Sequence, residues 1–136
     1  MQRNIELKIQ KIEKYIRILE EYKENCRERF LKDEMFEGAL LHYLYLVSDS
    51  CISLAEMMIK YKSFGLTQSY FDSIAMLGDK KVLPREFAYE FAQIASFRNF
   101  LAHDYEKIDY IIICEEALEK LEDIQTYLKY IQAKLI

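Results

Sequence analysis

Between residues 98 and 105 the chain places Arg98, Asn99, His103, Asp104 and Tyr105, in the run RNFLAHDY. An imidazole titrates near neutral pH. It can take a proton from a ribose 2′-hydroxyl or return one to a leaving oxygen. A guanidinium can grip a phosphate through two N–H donors and stabilise the charge that grows on it. A carboxamide such as that of Asn99 can orient the imidazole or a phosphate oxygen. These groups together suit RNA cleavage by the RNA's own 2′-hydroxyl. That chemistry needs no metal, and the His, Cys, Asp and Glu residues show no metal-site spacing. No cofactor is implied.

On a regular helix Asn99 and His103, four apart, share one face, and Arg98 and Tyr105, seven apart, are nearly aligned. Arg98 and His103 are five apart and so stand about 140° around the axis from each other. One straight helix does not aim both at the same atom. Either the helix distorts near His103, or a second copy of the chain completes the site across a symmetry axis. Two copies would also gather two arginines, a local positive charge that the net charge of −4 does not supply. Taken alone, an arginine and a histidine at this spacing more often make a salt bridge and a helix end. The flanking residues set this pair apart.

The surrounding sequence is helical throughout. Ile5, Ile9, Ile12, Ile16, Leu19, Tyr22, Cys26 and Phe30 step by three or four, predicting a first helix capped by Asn4 and running to about residue 32. Asp33 caps a second helix through Phe36, Leu40, Tyr43, Val47, Cys51, Leu54 and Met58, ending between residues 61 and 65. It is apolar over more of its surface, which places it nearer the centre. Ser69 and Asp72 form a capping-box pattern before a short helix through Ile74 to Leu77. Pro84 suits the first turn of a third long helix that carries Phe87, Phe91, Ile94, Ala95 and Leu101 into the polar run. Asp109 caps a last helix through Cys114, Ala117, Leu121, Ile124, Leu128, Ile131 and Leu135. The predicted fold is all-α: one domain over residues 1–136, an antiparallel up-and-down bundle of four long helices plus one short one. The regular spacing on the first and last helices could also serve a helix–helix dimer.

Composition agrees. Half of the 136 residues are apolar (51%) and 31% are charged, and three Gly with one Pro leave little material for the turns of an all-β fold. Cys26, Cys51 and Cys114 are an odd number and scattered, which argues against a disulfide framework and for small buried thiols in a reducing cytosol. No signal core stands at the start and no run of about 18 apolar residues predicts a membrane span.

RNFLAHDY resembles the Arg-x-x-x-x-His signature of HEPN domains, in which a polar residue, commonly Asn, follows the Arg. Tyr105 extends it to the Arg-x-x-x-x-His-x-Tyr form typical of HepT toxins. The likeness runs from about Ile5 to Ile131, through residues 48–52, 69–77 and 108–109. Residues 66–69 depart from it in lacking a proline. The resemblance implies an antiparallel helical bundle that forms a homodimer with the signature at its interface. It implies a metal-independent endoribonuclease toxin, in a type VII-like pair, with Arg98, Asn99 and His103 as catalytic residues. It also implies an MntA-like minimal nucleotidyltransferase antitoxin that neutralises the toxin by transferring AMP from ATP to Tyr105. The added phosphate charge and base beside Arg98 would block RNA.

Asp49 and Asp104 are supporting candidates. A carboxylate on the mostly apolar second helix needs a partner, and Arg98 is available for a salt bridge. His42 and the eleven tyrosines read as bundle packing, and the small basic groups around Arg27 and Lys80 as solvated faces. The competing function is a non-catalytic helical module that partners a nucleotidyltransferase or presents substrate to it. Intact Arg98, Asn99 and His103 argue against it.

Overall fold

The computed structural model describes residues 1–104 and 108–135. Among these residues every regular element is a helix and none is a strand. Helix α1 spans Gln2–Glu20, α2 Cys26–Lys32, α3 Glu34–Lys62, α4 Tyr70–Asp79, α5 Arg85–Phe91 and α6 Ile94–His103. The last helix opens as a π-helical turn, Ile111–Ala117, passes through a 3₁₀ turn, Leu118–Lys120, and continues as α7, Leu121–Gln132. The antiparallel bundle expected from the apolar periodicity is present.

Three of the caps read from the sequence form as expected. Asp33 Oδ1 accepts from the backbone N–H groups of Met35 and Phe36 at 3.0 and 3.2 Å. Ser69 Oγ accepts from the Asp72 N–H at 3.0 Å, and Asp109 Oδ1 from those of Ile111 and Ile112 at 2.9 and 3.1 Å. Each satisfies donors that a helix start leaves unpaired.

Other boundaries differ. The first helix begins at Gln2 rather than after Asn4, with Met1 as its cap residue. A tertiary tie holds that turn: the Tyr61 hydroxyl donates to Gln2 Oε1 at 2.8 Å. The same helix stops at Glu20 instead of running to residue 32. Hydrogen bonds of the i→i+3 kind tighten its end, and Asn25 adopts a left-handed conformation, φ 55°. Cys26 and Phe30 remain buried across this corner, so the apolar stripe survives a bend that periodicity does not reveal. The third long helix is divided into α5 and α6 by a tight turn at Ala92 and Gln93. Pro84 stands at the cap of α5, one place before its first turn.

Helix α3 packs against α1, α2, α4 and α6 and is the centre of the bundle. By length and composition it could cross a membrane, which the sequence reading did not anticipate; half of its most apolar window is instead buried within the chain. Leu40, Val47, Cys51, Leu54 and Met58 are fully buried. Each large aliphatic side chain so enclosed contributes about 1.5–3 kcal/mol relative to exposure. The stripes of the first and last helices are also consumed internally: Ile5, Ile9, Ile12, Ile16 and Leu19 on α1, and Leu121, Ile124, Leu128 and Ile131 on α7, are all buried. They are not free to make the helix–helix dimer that their spacing allowed. The fully buried Tyr127 hydroxyl donates to the Cys51 carbonyl at 2.8 Å and pins α7 to α3.

The cysteine expectation holds only for Cys51, a buried free thiol whose pKa burial pushes up. Cys26 and Cys114 form a disulfide, Cα–Cα 5.7 Å, that ties α2 to the π-helical start of the last helix. The two are 88 residues apart, so only the packing of those segments brings them together.

Close approach decides one glycine. A Cβ on Gly78 would lie 2.6 Å from Ala88 Cβ and 3.3 Å from Arg85 Cα, where α4 and α5 touch. Gly78→Ala is therefore expected to lower stability by about 1–3 kcal/mol through overpacking. Thermal unfolding checks this; an unchanged Tm would mean that α4 and α5 separate at little cost.

Candidate active site

Arg98 lies in the middle of α6, on the side that meets α3 and α4. Asp49, on α3, accepts from Arg98 Nε at 3.1 Å, the salt bridge expected from the sequence. Arg98 Nη2 donates to the Tyr45 hydroxyl at 2.9 Å, and Nη1 donates to Asn99 Oδ1 at 3.1 Å. The rings of Tyr45 and of Tyr70, at the start of α4, each have their centroid 5.1 Å from Arg98 Cζ, within cation–π range. The arginine is thus held from three helices at once.

The Arg98 side chain is only 17% exposed and that of Asp49 47%, so the guanidinium is largely covered while its carboxylate partner is half in solvent. An ion pair so wetted fixes geometry more than it adds stability. Burial on its own lowers the Arg98 pKa. The hydrogen bond and charge of Asp49, with Tyr45 and Tyr70 beside it, outweigh that, and the net shift is upward. Arg98 therefore stays cationic at any working pH.

His103 is the last residue of α6 and is exposed. Among the described residues its imidazole has no hydrogen-bond or ion-pair partner. Asn99 is exposed, and its Oδ1 accepts from Arg98; of the two roles expected for it, orienting the imidazole or a phosphate oxygen, no contact with the imidazole is present among the described residues. Asp104 follows His103 as the exposed cap residue of α6, and its N–H bonds to the Phe100 carbonyl at 2.8 Å. Tyr105 lies outside the described residues. His42, read from the sequence as bundle packing, is instead exposed; it meets the edge of the Tyr43 ring and stands on α3 three residues before Tyr45.

The helix stays α-helical from Arg98 to His103, and so does not distort to bring the two together. Their separation of about 140° around the axis therefore stands. Tyr45 and Tyr70 were missed as site residues, having been counted as packing. The signal for Tyr45 was its position four residues before Asp49 on α3, on the same face. Tyr70 had no comparable signal, because only the packing of α4 on α6 carries it to Arg98.

A family described as Ribonuclease HepT-like matches residues 12–131. The chain belongs to the Ribonuclease HepT-like family. It is 23% identical over 106 residues to an mRNA nuclease HepT of Shewanella oneidensis, covering 78% of this chain and 80% of that one. It is 24% identical over 134 residues to a tRNA nuclease HepT of Aphanizomenon flos-aquae, covering 97% and 90%. Its fold matches a chain of a toxin–antitoxin crystal structure with AMP-PNP at a TM-score of 0.86 and 21% identity, over 96% of this chain and 98% of the other. It matches a chain of the tri-AMPylated Shewanella oneidensis HEPN toxin in complex with MNT antitoxin at 0.84 and 22%, over 96% and 97%. The all-α, HEPN-like bundle expected from the sequence is thereby shown.

Proposed function

We propose that this HepT-like chain is the toxin of a toxin–antitoxin pair and acts in the cytoplasm as a metal-independent endoribonuclease built on a single domain. Arg98 binds the scissile phosphate, and His103 moves the protons. The ribose 2′-oxygen attacks phosphorus, its proton passes to a base, and the 5′-oxygen leaves with a proton. The products are a 2′,3′-cyclic phosphate and a 5′-hydroxyl. The observation that carries this reading is the state of the two signature side chains. Arg98 is anchored and permanently charged, while His103 is exposed and without a partner among the described residues. Such a pair is prepared for a ligand rather than spent on the fold.

The wide angle between Arg98 and His103 supports a homodimer, in which a second copy brings its own signature helix to complete the site. The family and the AMPylated relative support a minimal nucleotidyltransferase as the antitoxin. Tyr105, two residues beyond His103, is the hydroxyl that would take AMP from ATP and release pyrophosphate. Asn99 and Asp49 orient Arg98, and Asp104 supports the end of the helix.

Purified protein incubated with RNA and a strong chelator tests the reaction. Cleavage that persists and leaves cyclic phosphate ends is expected; intact RNA, or products with free 3′-hydroxyls, would count against it. Adding a minimal nucleotidyltransferase with ATP is expected to place AMP on Tyr105 and silence cleavage. Modification elsewhere in the chain would remove Tyr105 from this role.

A further inference from the structure

We infer that Tyr45 and Tyr70 are positioning residues for Arg98, holding its guanidinium so that the two N–H donors they leave free meet the RNA phosphate. The inference rests on the ribonuclease reading and extends it to residues outside the signature.

An arginine side chain has three flexible carbons, and an unrestrained guanidinium samples many orientations at an entropic cost paid on binding. This one is restrained on every nitrogen. A guanidinium carries five N–H donors. Three of these are used, on Asp49, Tyr45 and Asn99, and two remain. Two donors are what a bidentate grip on phosphate requires. Asp49 and Asn99 alone would fix Nε and Nη1, but both are well exposed. The Tyr45 hydroxyl fixes Nη2, and the rings of Tyr45 and Tyr70 cover the guanidinium, which helps leave its side chain only 17% exposed. Tyr45 comes from α3 and Tyr70 from α4, so the two lock the arginine of α6 to separate elements of the bundle. Tyr45 is partly buried against the core, and its hydroxyl accepts from Arg98; Tyr70 is 39% exposed, so core packing does not explain its place.

The two act in different ways, and conservative variants separate them. Tyr45→Phe removes the hydrogen bond and keeps the ring. Tyr70→Phe keeps the ring and removes a hydroxyl that makes no hydrogen bond to Arg98, and Tyr70→Leu removes the ring. In steady-state RNA cleavage, kcat is expected to fall about tenfold in Tyr45→Phe and in Tyr70→Leu and to stay within about twofold in Tyr70→Phe, as for a misaimed group. Added to Arg98→Ala, neither Tyr45→Phe nor Tyr70→Leu is expected to cost anything further, because the side chain they position is gone. Wild-type rates in both single variants, or losses that simply multiply with that of Arg98→Ala, would overturn the proposal. A second readout does not depend on activity. Nitrogen-15 NMR of the Arg98 side chain is expected to show slow rotation about the Nε–Cζ bond in the wild type and faster rotation in Tyr45→Phe and Tyr70→Leu. Rotation unchanged between wild type and variants would overturn the positioning role. A wild type that shows the slow rotation but leaves RNA intact would instead put the fault with the ribonuclease reading.

Discussion

His103→Ala is expected to lower RNA cleavage by about 10²–10⁴-fold, the range that a positioned acid or base contributes, while leaving Tm unchanged. Both halves follow from the site. The imidazole is exposed at the end of α6 and makes no hydrogen bond to the described residues, so its removal opens no cavity and strands no buried donor. Surface changes of that kind stay within about 0.5 kcal/mol of neutral. Arg98→Ala makes an informative companion. It is expected to abolish cleavage to a similar extent, but it also unpairs Asp49 and releases the Tyr45 hydroxyl, so some stability should be lost with it. A full assay therefore pairs rates on a defined RNA with thermal unfolding. Cleavage by His103→Ala within a few-fold of wild type would exclude the histidine as acid or base. The non-catalytic module, with effects confined to antitoxin affinity, would then be the better account.

Breaking the Cys26–Cys114 bond is expected to give the largest change in stability. The bond closes a loop of 88 residues, and constraining the unfolded chain over that length is worth roughly 4–5 kcal/mol. For a domain of this size such a loss lowers Tm by about 10–20 °C. Cys26→Ser, or the wild type under strong reductant, should melt that much lower than the oxidised protein. Cys51→Ala should keep the same redox dependence, since Cys51 is free and the Cys26–Cys114 bond remains in that variant. Identical melting curves with and without reductant would mean that the thiols are unpaired in solution, as the sequence reading held. The outcome also bears on where the protein works, because a reducing compartment would keep this bond open.

Asp33, Ser69 and Asp109 were identifiable as caps because a cap acts on backbone groups two or three residues away, within reach of sequence alone. The bends at residues 21–25 and 92–93 were not identifiable, since the apolar stripe runs through both and no Gly or Pro marks either. The cysteine pairing failed for a related reason: proximity across 88 residues depends on how α2 meets the last helix.

The sequence by itself determined the helical class, the order of the helices and the identity of the signature. Apolar period, capping chemistry and short motifs are all local, and they are written in residues that are neighbours along the chain. Beyond the Arg98–Asp49 pair that the sequence suggested, the tertiary structure alone decided what else Arg98 touches, and it leaves His103 without a hydrogen-bond partner among the described residues. It carried Asp49 and Tyr45 of α3 and Tyr70 of α4 to one guanidinium on α6, and it turned the stripes of α1 and α7 inward. Contacts between helices depend on how several apolar faces pack at once, and no single segment contains that information.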